Sequence, residues 1–346
     1  GYADADCETA GHRLSKRDEE SVFAAWPFVR TTGYGRAVEL GVRHLFGIEY
    51  TRENAAAITA AMRAFCAGKT GARIYEELFA RANVQWSVND LFWEQPGDRE
   101  GVSADRLPGL FRFAIRFEIR SGHRFVGSTR ESVELFESAF NVSVHSLAEL
   151  DAALDAYAAR QKEGGRLAAI KTAVAYGRDL DFAVVPFAEA ERAFARVLEG
   201  KDVAPRIMDD YLFHRMIERA RMLDLPMQIH TGYLAGNWSD IRQGDPRPLV
   251  PVFQKYRDVR FDLFHASWPW CEFIGAVAKE FPNVWLDLCW MWAMNPVQGG
   301  RILDEWLGAV PCNKIFGFGA DTQSPFAEIG YALQARQGIA AVLERK

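Results

Sequence analysis

Residues 226–230 read PMQIH, and residues 259–265 read VRFDLFH. Each is a short, nearly unbroken apolar run that stops on a histidine. Such runs suit parallel strands covered on both faces, where strict polar alternation is not required. Five more lie around them: NVQWSV (83–88), LFRFAIRFEI (110–119), LAAIKTAV (167–174), NVWLDL (283–288) and KIFGFG (314–319). Helical patterns fill the intervals. The clearest starts at Ser146, where Ser-Leu-Ala-Glu reads as a capping box closed by Glu149, with an apolar stripe at Leu147, Leu150, Leu154 and Tyr157. Others cover roughly 208–223 and 275–281. Seven strands alternating with helices predict an α/β fold with a parallel sheet. A doubly wound sheet can hold seven; a TIM-like (β/α)8 barrel needs eight, the absent one being the first.

Upstream of these strands the chain is mostly helical. Thr51 reads as the N-cap of RENAAAITAAMRAF, and Gly68 with Gly71 ends that segment before IYEELFARA resumes. The expected organisation is one structural domain, with a helical elaboration over 1–82 and the barrel body over 83–346. The 346 residues are 49% hydrophobic and 25% charged, which excludes a disordered chain, a collagen-like repeat and a small disulfide scaffold. Lys plus Arg number 41 against 46 for Asp plus Glu, a net charge of −5 that offers no basic footprint for nucleic acid. The five cysteines (Cys7, Cys66, Cys271, Cys289, Cys312) show no CxxC spacing and read as reduced thiols of a cytoplasmic protein. There is no apolar run of membrane-spanning length, and GYADADCETAGHRL carries no signal-peptide pattern.

In either parallel architecture the chemistry gathers at the C-terminal strand ends. Here LAAI is followed by Lys171, PMQI by His230, VRFDLF by His265 and KIFGFGA by Asp321. Alternation puts Gln228 on the same strand face as His230, and Leu263 on that of His265. Neutral imidazole and ionised carboxylate are ligands that a divalent ion such as Zn²⁺ accepts, and a carboxylate beside the ion can take a proton from bound water. Taken singly, each residue has a plainer role: a hydrogen-bonded histidine at the rim, an aspartate capping the next helix, a lysine in a rim ion pair. The joint order of Lys, His, His and Asp, at the fourth, fifth, sixth and eighth strands once a first is assumed, points to a shared site.

That order resembles the amidohydrolase superfamily of metal-dependent hydrolases. Within it the chain is similar to the amidohydrolase-2 group, with a more distant likeness to glucuronate (uronate) isomerases. The resemblance is carried by WPFVRTTGYGRA (26–37), DYLFH (210–214), QIHTGYLAGNWSDIR (228–242), RFDLFHASWPW (260–270), NVWLDLCWMW (283–292) and NKIFGFGAD (313–321). The chain also resembles the amidohydrolase-like half of fungal and plant proteins fused to a glutamine-synthetase-like half. The resemblance implies a distorted TIM barrel with one or two divalent ions, zinc or manganese, at its mouth. It makes His230 a metal ligand, His265 a ligand or polarising imidazole, Asp321 a ligand and general base, and Lys171 a substrate-binding or carboxylated lysine. The family's first strand carries a His-x-His pair, whereas none of the seven histidines here (12, 44, 123, 145, 214, 230, 265) are two apart. The expectation is that the chain starts past that strand and holds its metal weakly.

The loop TGYLAGNWSDIRQGDPRP carries Tyr233, Asn237, Trp238, Asp240 and Arg242. It is read as a substrate loop, with Arg242 the best carboxylate binder because its fork takes two oxygens. Tyr176 and Arg178 follow Lys171 and share the same expected mouth. Trp268, Trp270, Trp290 and Trp292 form either an aromatic wall or simple loop packing. His214 sits mid-helix as packing, and His44, His123 and His145 receive no role. TGYGRA (32–37) lacks both the spacing and the preceding strand of a phosphate cradle. Three functions stay open: hydrolysis of an amide, ester or lactone by metal-activated water, a uronate-isomerase-like proton transfer, and a catalytically inert ligand-binding or partner-binding barrel. The expected partner is a small-molecule substrate, with no nucleic acid and no membrane, and homo-oligomerisation is left open.

Overall fold

The computed structural model describes residues 16–91, 93–94, 109–201, 205–236, 238–322 and 324–346. Among them seven strands follow in chain order: β1 (Ser87–Leu91), β2 (Phe111–Ile115), β3 (Leu167–Thr172), β4 (Met227–Ile229), β5 (Phe261–Leu263), β6 (Val284–Asp287) and β7 (Ile315–Phe316). Each of the first five is parallel to the next. A doubly wound sheet reverses its strand order at a switch point. Here sequence neighbours are sheet neighbours throughout, the order of a TIM-like (β/α)8 fold.

The chain forms two compact units, one of residues Trp86–Leu286 and one joining Gly1–Gln85 to Asp287–Lys346. In the second of these units the C-terminal segment packs with the N-terminal helices. The reason lies in their apolar faces. Helix Pro325–Leu343 buries Ile329 with Leu45 of helix Gly33–Phe46, Phe65 of helix Ala55–Cys66, and Leu78 and Ala82 of helix Gly71–Ala82. In the same unit Leu288 N–H donates to the Phe316 carbonyl (2.9 Å).

All seven expected strands exist, with edges moved for local reasons. NVQWSV starts late because Asn83 (φ 51) caps the preceding helix and Val84 N–H donates to the Phe79 carbonyl (2.9 Å). The tail of LFRFAIRFEI leaves the sheet to make an antiparallel bridge between Glu118 and Phe125. Thr51 is not an N-cap: helix Ala55–Cys66 begins after Asn54, whose N–H donates to Thr51 Oγ1 (3.3 Å). Ser146 does cap helix Leu147–Glu163 through Glu149 N–H (3.2 Å), but Glu149 reaches back to His145 N–H (2.7 Å). The described residues include no helix long and apolar enough to cross a membrane.

Two helices that flank β3 and β4 are cross-braced by buried charge. Arg219, from helix Pro205–Met222, donates to Asp151 Oδ1 (2.7 Å) and Asp155 Oδ1 (2.6 Å) of helix Leu147–Glu163. Tyr211 O–H and Arg215 Nε donate to Asp151 Oδ2 at 2.7 and 3.2 Å. Arg219 is 1% exposed. Removing one member of a buried pair strands the other, so Arg219→Ala should destabilise the protein by about 3–5 kcal/mol in urea unfolding. A loss below about 1 kcal/mol would show that water replaces the guanidinium without penalty.

Candidate active site

The parallel ladder continues past β4: His230 N–H donates to the Thr172 carbonyl (2.9 Å). On the neighbouring strand the chain breaks away after Leu263, and His265 takes up left-handed backbone (φ 65, ψ 29). These two exits bring the imidazoles together, with His265 Nε2 2.9 Å from His230 Nδ1 and ring centroids 4.4 Å apart. His230 Nε2 lies 3.0 Å from the Tyr233 carbonyl. A carbonyl only accepts, so His230 carries its proton on Nε2 and presents a bare Nδ1, to which His265 Nε2–H donates. Burial, then the neighbouring His265 and the Lys171 ammonium, hold His230 well below its ordinary 6.5. His230 is neutral at physiological pH.

Beneath the pair runs a layer of buried charge. The register places Lys171, Gln228 and Asp262 side by side on β3, β4 and β5. Gln228 Nε2 donates to Asp262 Oδ2 (3.1 Å), while Asp262 Oδ1, fully buried, has no protein hydrogen-bond partner. Lys171 Nζ lies 3.0 Å from the centroid of the Phe264 ring, a cation–π contact. Arg116 forms a tight ion pair with Asp90 of β1. Burial alone would raise the Asp90 carboxyl, but Arg116 and Lys171 outweigh it and the net shift is downward. Glu118 accepts from the Thr172 hydroxyl and from Ala173 N–H (3.2 and 3.1 Å). Burial dominates there and raises Glu118 to about 7 in spite of Arg116. Burial likewise raises Asp262, against the pull of Lys171.

The structure thus gathers His230, His265 and Lys171 in one unit. Asp321 belongs to the other, at an exposed position with φ 48. Tyr176 joins the group: its ring centroid is 4.7 Å from that of His230, and its hydroxyl accepts from Ala235 N–H (3.0 Å). His123, given no role from sequence, also stacks on Tyr176 (4.8 Å); burial, with Arg116 and Arg120, lowers it to about 4. Arg178 is buried and donates to Asp210 Oδ1 (2.7 Å) and the Asp179 carbonyl (3.0 Å). Tyr233 is half-buried against Trp268 (5.5 Å). Trp238 is fully exposed, and Arg242 closes its fork on its own loop's Asp240 (2.7 Å). Trp290 is buried in the other unit, its indole N–H donating to Tyr34. Asn237 lies outside the described residues.

Asp90, Arg116, Glu118 and Asp262 escaped the sequence reading. The signal was there: charged residues rarely sit fully buried unless paired, and both IRFE (115–118) and RFDLF (260–264) place them inside otherwise apolar runs.

The histidine pair suits a divalent ion in one respect. A metal-bound imidazole commonly donates its second N–H to a carbonyl, as His230 does to Tyr233, leaving Nδ1 to ligate. Zn–N bonds of about 2.0–2.1 Å put two ligand nitrogens roughly 3–3.5 Å apart, close to the observed 2.9 Å. The pair fits two ligand positions. Among the described residues no group of three or more His, Cys, Asp or Glu side chains is assembled for a metal.

The raised Glu118 carboxyl sets a pH dependence. The folded state holds the proton more tightly than the unfolded chain, so the stability this group contributes is complete below 4.5 and is lost as pH rises through about 7. Glu118→Gln should therefore lose less stability than the parent between pH 5 and pH 8, read from urea midpoints. Equal losses in the two proteins would assign the dependence to other groups.

Comparison with known proteins agrees with this architecture. Residues 144–329 match the family model described as Amidohydrolase. Protein fluG of Emericella nidulans is 29% identical over 159 residues, covering 42% of this chain but only 18% of fluG, so the chain spans less than a fifth of that relative. Uronate isomerase from Thermotoga maritima superposes with a TM-score of 0.72 at 14% identity, over 94% of this chain and 77% of that one. Glucuronate isomerase from Caulobacter crescentus gives 0.68 at 17%, over 91% and 69%. At those identities the two structures show a common fold, not a common reaction. The family match covers more than half of the chain, and the protein belongs to the amidohydrolase family.

Proposed function

We propose that the chain catalyses metal-dependent hydrolysis of an amide, ester or lactone bond in a small, carboxylate-bearing molecule. The observation that supports this most is the approach of His230 Nδ1 and His265 Nε2 to 2.9 Å at adjacent strand ends, beside a buried lysine ammonium. His230 through Nδ1 and His265 through Nε2 would hold the ion, zinc or manganese. When bound, the ion would acidify a water and polarise the carbonyl under attack.

The protein's own groups divide the remaining work. Tyr233's carbonyl fixes the His230 tautomer, so that the bare nitrogen faces the reacting centre. Lys171 supplies a fixed positive charge for a substrate carboxylate or for the oxyanion formed on attack. Tyr176 closes one side of His230, and the loop hollow lined by Tyr233, Leu234, Gly236, Trp238, Ser239 and Ile241 would receive the rest of the substrate. Because the described residues supply only two converging imidazoles, metal should be retained weakly, with substoichiometric zinc or manganese by elemental analysis after dialysis.

The test is turnover of a panel of lactones, esters and amides of small acids in H₂¹⁸O, with zinc or manganese supplied. Hydrolysis places one ¹⁸O in the product acid, and His265→Asn should lower kcat/KM by roughly 100-fold or more. Aldose–ketose conversion without ¹⁸O uptake would replace this reading with the isomerase. Absence of both turnover and metal binding would leave a ligand-binding barrel.

A further inference from the structure

His265, Ala266 and Ser267 are three consecutive non-glycine residues with positive φ (65, 53 and 46). L-residues avoid this region because Cβ crowds the following carbonyl, and a run of three persists only where surrounding structure enforces it. All three are buried. Two hydroxyls supply the enforcement. Thr231 Oγ1 lies 2.8 Å from the Phe264 carbonyl and 2.6 Å from Ser267 Oγ. Thr231 has one hydroxyl proton and the carbonyl can only accept, so the relay runs one way: Ser267 donates to Thr231, and Thr231 donates to Phe264. Neither hydroxyl residue is exposed at all. Behind them Gly232 (φ 76) lets the strands close up, since a Cβ there would lie 2.4 Å from the Ser267 carbonyl carbon.

The placement is specific. Thr231 directly follows His230, and Phe264 directly precedes His265, so the relay joins the two backbone segments that carry the imidazoles. We propose that Thr231 and Ser267 are positioning residues, whose hydroxyl relay holds His265 in left-handed backbone so that its Nε2 meets His230 Nδ1. Without the relay the segment would relax toward right-handed or extended backbone and swing the imidazole off its partner. The catalytic consequence rests on the hydrolase reading; the structural claim does not.

The test is nitrogen-15 NMR of the imidazoles in the metal-free protein. The parent should show His230 protonated at Nε2 alone, and a His265 Nε2–H protected from exchange. Thr231→Val, which keeps the shape and removes the hydroxyl, should speed exchange of that proton roughly tenfold, the loss of about one net hydrogen bond. Thr231→Ser, which restores the donor, should bring it back. Ser267→Ala should give a smaller change in the same direction. Ala266→Gly removes the strain that the relay opposes, so Thr231→Val should have less effect in that background. Unchanged His265 protection in folded Thr231→Val, or failure of Thr231→Ser to restore it, would overturn the proposal. If Thr231→Val does not fold, unchanged protection in Ser267→Ala would do so. Hydrolysis missing from the parent while these signals respond as described would sink the hydrolase reading alone.

Discussion

The constraint on which the site depends is the burial of one ammonium group. Lys171 is 3% exposed, inside a strand that otherwise carries only apolar residues and one threonine. A lone cation there would be prohibitive, so it must be offset by carboxylates and by polarisable surface. The Phe264 ring supplies the surface, and Asp90 and Asp262 supply negative charge from β1 and β5. The same field acts on groups that do not touch the lysine. It helps keep Asp90 ionised, and with burial and His265 it keeps His230 from accepting a second proton.

Parallel pairing makes that arrangement possible. Adjacent strands lie about 4.8 Å apart, so residues in register form a row at one height. Lys171, Gln228 and Asp262 occupy such a row, and the two histidines emerge above it from β4 and β5. Register alone does not bring imidazoles into contact. The last step comes from irregular backbone: the sheet ends at Leu263 and the chain turns left-handed, exchanging a relaxed conformation for a fixed imidazole position. Strain of this kind survives because the sheet below is rigid.

The strand ladder was legible in the sequence because buried parallel strands are nearly pure apolar runs. Lys171, His230 and His265 were legible because each ends such a run. All three lie in one unit, at or near the ends of adjacent strands. The tie of Arg178 to Asp210 was not legible, because sequence proximity to Lys171 says nothing about a partner on another helix. The charged layer stayed hidden for a different reason. Asp262 and Glu118 sit within strand patterns, where a single charged residue looks like the solvent-facing member of an alternation. Only the register shows that Asp262 points at Gln228. The left-handed run at 265–267 has no sequence mark at all, since none of its residues is glycine or asparagine.

Protons and metal ions answer to the same field. The charges that keep His230 from binding a proton also oppose a divalent cation at its Nδ1, and the imidazole pair supplies no negative charge in return. The balance moves with pH. Glu118 is raised to about 7 and Asp262 is raised as well, so both shed their protons as pH rises and the layer under the histidines turns more negative. A cation then gains favourable charge from groups that need not ligate it, whereas a substrate carboxylate near Lys171 loses some. If the site holds a cation and an anionic substrate as proposed, the two would pull the buried carboxyls toward opposite protonation states. On the proposed hydrolase reading, activity would peak where the two demands cross, within the range over which Glu118 titrates.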